Sequence, residues 1–246
     1  MKTYPYQLAP KTGPNLGLIV LQTDERIERD FRRLIPVDIG LFVSRVPSGL
    51  DVSPQSLAAM EAHIPTAANL LPGAVAFDAI GYGCTSGTAQ IGADKIAGLV
   101  HTGAQTQAVT EPLTALAAAC AALGVGRLAF LSPYVEAVSD RLRDALRTKG
   151  VQTPVFGTFT ESEEAKVVRI SPDAIRLAAL DLAAQGGVDA IFLSCTNLNT
   201  LDIIAPLEAE TGLPVLSSNQ VLAWHMCRLA GAGLAQGTGR ITNSIP

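Results

Sequence analysis

Aromatic residues are scarce in this chain, at 5% of 246 residues, so ring packing is not what fills its core. No apolar run approaches the roughly 20 residues that a membrane span needs, which argues against a membrane partner. The leader MKTYPYQLAPKTGPN lacks the apolar stretch of a signal peptide, so the expected location is the cytoplasm. There is no excess of basic charge: 18 Lys and Arg stand against 22 Asp and Glu, a net charge of −4. With a pI near 5.4, this gives no footprint for nucleic acid. The four cysteines form no CxxC pair and no framework spacing, which reads against disulfides. The three histidines, His63, His101 and His225, are far apart in the chain and away from acids at metal-ligand spacing. No metal or organic cofactor is expected.

What is present is Ala, Leu, Val and Gly in abundance, with 48% of residues hydrophobic, a profile that suits helices packed tightly on parallel strands. NLGLIVL (15–21) predicts a buried strand, and DERIERDFRRLIP has helical spacing ended by Pro36. VDIGLFVSRVP predicts a second strand. SPQSLAAMEAHIPTAANLL opens with Ser53 as N-cap and Pro54 at the first helical position. AVAFDAIGYG predicts a strand and GADKIAGLVHTG a helix. The alternation repeats through helix EPLTALAAACAALGV, strand RLAFLSP, helix VEAVSDRLRDALRTKG and strand VQTPVFGTF. Helix SPDAIRLAALDLAAQGG, strand VDAIFLSC and the segments LDIIAPLEAETG, PVLSSN and QVLAWHMCRLAG complete it. Strands alternating with helices imply parallel sheets with right-handed crossovers, in which ligands bind beyond the carboxyl ends of the strands.

Two cysteines fall at that edge. Cys84 follows AVAFDAIGYG and Cys195 follows VDAIFLS; each is followed by threonine, at Thr85 and Thr196. The repeat suggests two similar lobes, each presenting a thiol to one cleft, so that a proton leaves one face of a substrate carbon and returns on the other. A helix N-terminus after each cysteine would favour a thiolate. Backbone amides there, with Thr85, Ser86, Thr196 and Asn197, would hold a substrate carboxylate or a developing enediolate. Free cysteine is also a common small buried hydrophobe; Cys120 in LAAACAAL and Cys227 in WHMCRL fit that description.

The motifs GCTSG and SCTNL, in this order and spacing, resemble the aspartate/glutamate racemase superfamily. FLSPYVEAVSDRL, GLIVLQTDERIE and FVSRVP resemble its maleate isomerase and arylmalonate decarboxylase branch, with similarity from about residue 15 to 235. The resemblance implies two flavodoxin-like α/β lobes with parallel sheets, related by a pseudo-twofold axis, with the active site between them. The expected division is 15–110 with 221–246 as one lobe and 111–220 as the other. It further implies cofactor-independent chemistry next to a carboxylate, usually in a homodimer. Cys84 matches the cysteine that acts as nucleophile or base and Cys195 the one that acts as acid. Tyr134 matches the tyrosine that hydrogen-bonds the substrate carboxylate; the competing reading makes it a cap of the following helix. The arylmalonate decarboxylases keep a cysteine only at the second position, so two thiols favour an isomerase or racemase.

One position departs from the pattern. Maleate isomerases usually carry Ser-Asn-Thr in the first loop, where this chain has Thr23, Asp24 and Glu25, placing Asp24 where asparagine holds a carboxylate. Charge repulsion of about 1 kcal/mol at 4 Å in high dielectric, and more in a dry cleft, would disfavour a dicarboxylate there. An amine or amidine on a small carboxylate substrate would suit Asp24 instead. The QTDE loop is similar to that of the superfamily's ectoine-utilisation proteins, for which a cyclic amidine acid supplies such a group. Asp24 capping the next helix is the alternative. Two other functions compete. A dinucleotide-binding loop at GYGCTSG, with Glu111 as its acid, is disfavoured because the glycines read GxGxxxG on a later strand. A non-catalytic binder of small carboxylates would keep its thiols inert.

Overall fold

The computed structural model describes residues 1–10, 13–235 and 239–243. Its frame is two parallel four-stranded sheets. The first uses β1 (Asn15–Leu21), β2 (Gly40–Val46), β3 (Ala79–Gly83) and β4 (Val109–Thr110), in the order β2-β1-β3-β4. The second uses β5 (Arg127–Tyr134), β6 (Gln152–Glu161), β7 (Ala190–Leu193) and β8 (Val215–Ser217), in the order β6-β5-β7-β8. Both sheets therefore run second-first-third-fourth, the internal duplication that the two cysteine motifs suggested. Strands β1 and β5 sit inside their sheets and read as near-continuous apolar runs, as parallel strands covered on both faces must; Leu16 to Leu21 are all buried.

Helices α1 (Ile27–Leu34), α2 (Pro54–Ala59) and α3 (Ile64–Asn69) flank the first sheet, with α4 (Thr85–Ile91) and α5 (Ala93–Gly103). Then come α6 (Pro112–Leu123), α7 (Glu136–Thr148), α8 (Glu164–Val167), α9 (Pro172–Ala184), α10 (Leu201–Thr211) and α11 (Ser218–Leu229). Two short 3-10 helices, Met60–His63 and Arg240–Asn243, complete the order. Ser53 caps α2 through a reciprocal box with Ser56, the start that Ser-Pro announced. The two-residue strand β4 had no apolar run to betray it. The region after Cys84 is two helices, broken at Gly92 with φ 96°. Among the described residues no helix is long and apolar enough to cross a membrane.

Two features place the site. Helix α11 packs on α1 and β3 and also on α6 and β8, so its first turn reaches both sheets. Over the same junction, the loop after β2 meets the end of β6. Val52 N donates to Ser162 O at 2.8 Å, Glu164 N donates to Leu50 O at 3.1 Å, and Asp51 bridges Glu163 antiparallel. These contacts hold the start of α8 above the ends of the strands.

Strand β3 approaches α11 closely because Gly81 has no side chain. A Cβ there would lie 2.4 Å from Met226 Sδ and 3.5 Å from Leu18 Cδ1. Strand propensity favours valine, yet overpacking costs roughly 1–3 kcal/mol. Gly81→Val is expected to lower unfolding free energy by that amount in urea titration; a gain in stability would show that the packing argument fails.

Candidate active site

At the junction of the sheets lies a closed cavity lined by Leu21, Asp24, Leu57, Cys84, Thr85, Ser86, Tyr134, Glu164, Cys195 and Thr196. Its free volume is about 10 Å³, room for a single water. The two cysteines thus share one space, although they arrive there differently.

Cys84 is the N-cap of α4, its Sγ accepting the Gly87 N–H at 3.1 Å. The expected thiolate is not what this cap produces. Burial pushes the Cys84 thiol up to about 12, and the Gly87 and Ser86 backbone amides oppose this only in part. The second turn carries no helix start at all: α10 begins six residues after Cys195, at Leu201. Cys195 instead holds φ at 138°, a region that side-chain-bearing residues rarely occupy and that costs about 1–3 kcal/mol. Its N–H donates to Ser218 Oγ at 3.0 Å, and its Sγ lies 3.0 Å from Tyr134 OH and 3.3 Å from Asn197 N. Burial, then the charge of Glu164, raises its thiol well above the usual range. Burial thus disfavours the thiolate at both sulfurs.

Asp24 caps a helix and also reaches the cavity. Oδ1 accepts the Arg26 and Ile27 N–H groups, each at 2.7 Å, which caps the start of α1. Among the described residues buried Oδ2 makes no hydrogen bond of ordinary geometry, although the Thr196 side chain beside it lowers the carboxyl, and the residue lines the cavity. Burial raises its carboxyl above the ordinary value, against those two amides. Ser86 Oγ is likewise buried and unpartnered. Unpaired buried polar atoms are rare enough to need a reason, and two on one cavity wall fit a site that accepts a polar ligand. Thr85 and Thr196 also line it, whereas Asn197 stands behind the wall. Its Nδ2 donates to Glu164 Oε2 at 2.7 Å and its Oδ1 accepts the Glu25 N–H at 3.0 Å.

Sequence reading missed two residues of this site. Glu164, only 5% exposed, accepts from Tyr134 OH at 2.7 Å; a glutamate in the run ESEEAKV carries no mark that it is buried. Ser218 Oγ accepts from both Thr85 Oγ1, at 2.9 Å, and Cys195 N, tying the two cysteine turns together. Beside it, Asn219 Nδ2 donates to Thr196 O and to Asp30 Oδ2, both at 2.8 Å. The capping box of Ser217 with Gln220 is the signal in SSNQ that announces a helix start here. Glu111, the acid of the dinucleotide reading, caps α6 by accepting the Leu113 and Thr114 N–H groups. Among the described residues no group of His, Cys, Asp and Glu could hold a metal ion. His225 bonds Thr110 through Nδ1 at 2.7 Å.

Comparison with known proteins adds the family. Residues 104–242 match the family model described as arylmalonate decarboxylase. The chain is 31% identical over 227 residues to the arylmalonate decarboxylase of Bordetella bronchiseptica, covering 89% of this chain and 92% of that protein. The chain belongs to the arylmalonate decarboxylase family. Relatives of this family member also include the maleate isomerase of Pseudomonas putida, 27% identical over 187 residues, 72% of this chain and 73% of that one. Its fold is that of the Nocardia farcinica maleate cis-trans isomerase, solved as a cysteine-to-serine mutant with a covalently bound succinylcysteine intermediate. That likeness has a TM-score of 0.79 at 22% identity, covering 93% of this chain and 98% of that one.

Two stability measurements follow from the geometry. Glycine ordinarily weakens a folded chain relative to alanine, but at φ 138° the order reverses. Cys195→Gly is expected to unfold about 1 kcal/mol later than Cys195→Ala; the ordinary order would contradict the strain at Cys195. For Asp24, the folded chain keeps a proton over a range where the unfolded chain has released it. Stability contributed by that carboxyl is therefore present below the unfolded value of about 4 and is lost as pH rises through the folded value. Asp24→Asn is expected to gain on the parent protein as pH rises above about 4 in urea unfolding. A difference independent of pH would contradict the burial argument.

Proposed function

We propose that this protein is a cofactor-independent isomerase that moves a proton at the carbon next to a carboxylate of a small acid, using Cys84 and Cys195 on opposite faces. The observation that carries this reading is that two free cysteines, one after β3 and one after β7, line a single closed cavity with Thr85, Ser86 and Thr196. The hydroxyls receive the substrate carboxylate. One sulfur removes the α-proton, charge spreads into the carboxylate, and the other sulfur, still protonated, delivers its proton to the far face. Two thiols with equal reach to one carbon make the reaction reversible in both senses, which is racemisation or epimerisation.

The substrate we favour is a small acid bearing an amine or amidine. Among the described residues Asp24 Oδ2 makes no hydrogen bond of ordinary geometry, and an N–H of the substrate supplies one. Wherever Asp24 is ionised, a second carboxylate on the substrate would meet repulsion stronger than the roughly 1 kcal/mol of high dielectric, whereas a cationic substrate group would favour that ionised form. Cis-trans isomerisation remains available to the same residues. Cys84 as thiolate would add to the double bond, the new single bond would rotate, and elimination would give the trans acid. The relationship to a named maleate isomerase supports that variant. The 31% identity to a named decarboxylase supports a second reaction, in which carbon dioxide leaves and Cys195 protonates the resulting carbanion.

The test incubates the protein in D2O with both enantiomers of aspartate and of diaminobutyrate, with maleate and with an arylmalonate. Exchange of the α-hydrogen in an amine-bearing acid, abolished in Cys84→Ser and in Cys195→Ser, is the expected result. Full exchange in either variant would sink the two-thiol scheme. Turnover of the arylmalonate alone, insensitive to Cys84→Ser, would assign the protein to decarboxylation.

A further inference from the structure

The cavity contains a carboxylate that the two-thiol scheme leaves idle, and its contacts are unequal toward the two sulfurs. Tyr134 OH donates to Glu164 Oε1 at 2.7 Å, and Cys195 Sγ lies 3.0 Å from the same phenol oxygen. With the phenol hydrogen committed to Glu164, the thiol is the donor in the second bond. The line reads Cys195 S–H to Tyr134 O–H to Glu164 carboxylate. Asn197 fixes both ends: its Nδ2 holds Glu164 Oε2 and its backbone N–H reaches Cys195 Sγ. The Glu164 backbone is anchored in turn, its N–H on Leu50 O. Cys84 has no such arrangement; its sulfur accepts a backbone N–H, from Gly87.

We propose that Glu164 is the proton acceptor and donor for Cys195, acting through Tyr134. This positioning role rests on the reading above that Cys195 works as both acid and base. In the forward step the Cys195 S–H bond breaks and its proton bonds to the Tyr134 oxygen. The Tyr134 O–H bond breaks together with it and that proton bonds to Glu164 Oε1. The thiol becomes a thiolate, the carboxylate becomes a neutral acid, and the tyrosine ends as it began. One negative charge exists before and after, so no new charge is created in the cavity. When Cys195 donates to substrate, the same steps run backwards.

Charge conservation is the physical advantage. Ionising Cys195 by release to solvent would put a second anion beside Glu164, with Asp24 and Cys84 on the same cavity wall. The neighbouring groove adds Glu25, Asp51 and Glu163; of the cations beside it, Lys166 is paired with Glu163, and Arg45 binds the Leu21 and Asp24 carbonyls and pairs with Glu28. Burial and these charges oppose a second anion; shifting the existing one along two hydrogen bonds avoids it.

The decisive measurement needs no substrate, so its failure is separable from failure of the exchange assay. Iodoacetamide alkylation of Cys195 is followed by peptide mass spectrometry from about pH 6 to pH 10. A shared proton gives a thiolate fraction that is independent of pH while the pair carries one charge. The parent protein is therefore expected to show a plateau in rate around neutral pH. Glu164→Gln removes the acceptor, and its rate is expected to climb about tenfold per pH unit across the same range. Tyr134→Phe keeps the two titrating groups but removes the phenol that bonds to both, so its plateau is expected to be lower than the parent's. Cys120 and Cys227, buried away from the cavity, report any unfolding in the same digest. A parent rate that itself climbs tenfold per unit, a plateau kept by folded Glu164→Gln, or a Tyr134→Phe plateau as high as the parent's would overturn the relay.

Discussion

Asp24, Cys84, Glu164 and Cys195 share one cavity with room for about a single water, and among the described residues no lysine or arginine lines it. Removing water from four acidic groups at once sets where every proton in the site resides. Burial is the leading cause of the raised values at all four, and it outweighs the amide that caps Cys84. A site ruled by desolvation holds its thiols protonated until a substrate or an internal base takes the charge. The same dryness makes each later electrostatic contact strong, which is what stabilisation of a carbanion beside a carboxylate requires.

The duplicated sheets bring two thiols together, and the connections after the strands then make them different. Cys84 caps a helix and faces the hydroxyls of Thr85 and Ser86. Cys195 is held in a strained turn by Ser218 and Tyr134, with Glu164 behind. Ser218 accepts hydrogen bonds from both turns, so the first turn of α11 fixes the spacing between the thiols. Arg45, on β2, binds the carbonyls of Leu21 and Asp24 at 3.0 Å, which steadies the loop carrying Asp24 without placing a guanidinium in the cavity. Together these contacts store strain and unpaired polar atoms at one point, a cost that the apolar cores of the two sheets offset.

Much of this was legible in the residues. Strand β1 appeared at its observed bounds because a buried parallel strand is a continuous apolar run between polar breaks. Cys84, Cys195, Thr85, Ser86 and Thr196 were marked by their positions after strands, Tyr134 and Asp24 by the family resemblance, and all seven line one cavity. Asn197 was marked too, but supports the wall from behind. Glu164 could not be read, because its burial comes from a long-range contact between 50–52 and 162–164 that leaves no local pattern. The thiol ionisation was misjudged for a related reason: a helix cap is local and visible in sequence, whereas desolvation depends on everything that closes over the sulfur. Strand β4 was invisible because two residues carry no periodicity.

The central claim is that two sulfurs, one as thiolate and one still protonated, serve opposite faces of one substrate carbon, so that the proton removed is not the one returned. Polarimetry in D2O, beginning from one pure enantiomer of the acid that the exchange assay selects, tests it most directly. Each inversion then replaces hydrogen by deuterium at the α-carbon, and the deuterated product returns more slowly than the protonated reactant leaves. The account predicts that optical rotation crosses zero, overshoots and then relaxes back. A monotonic decay to zero from both enantiomers, with deuterium retained on the starting face, would contradict it by showing that a single base serves both directions.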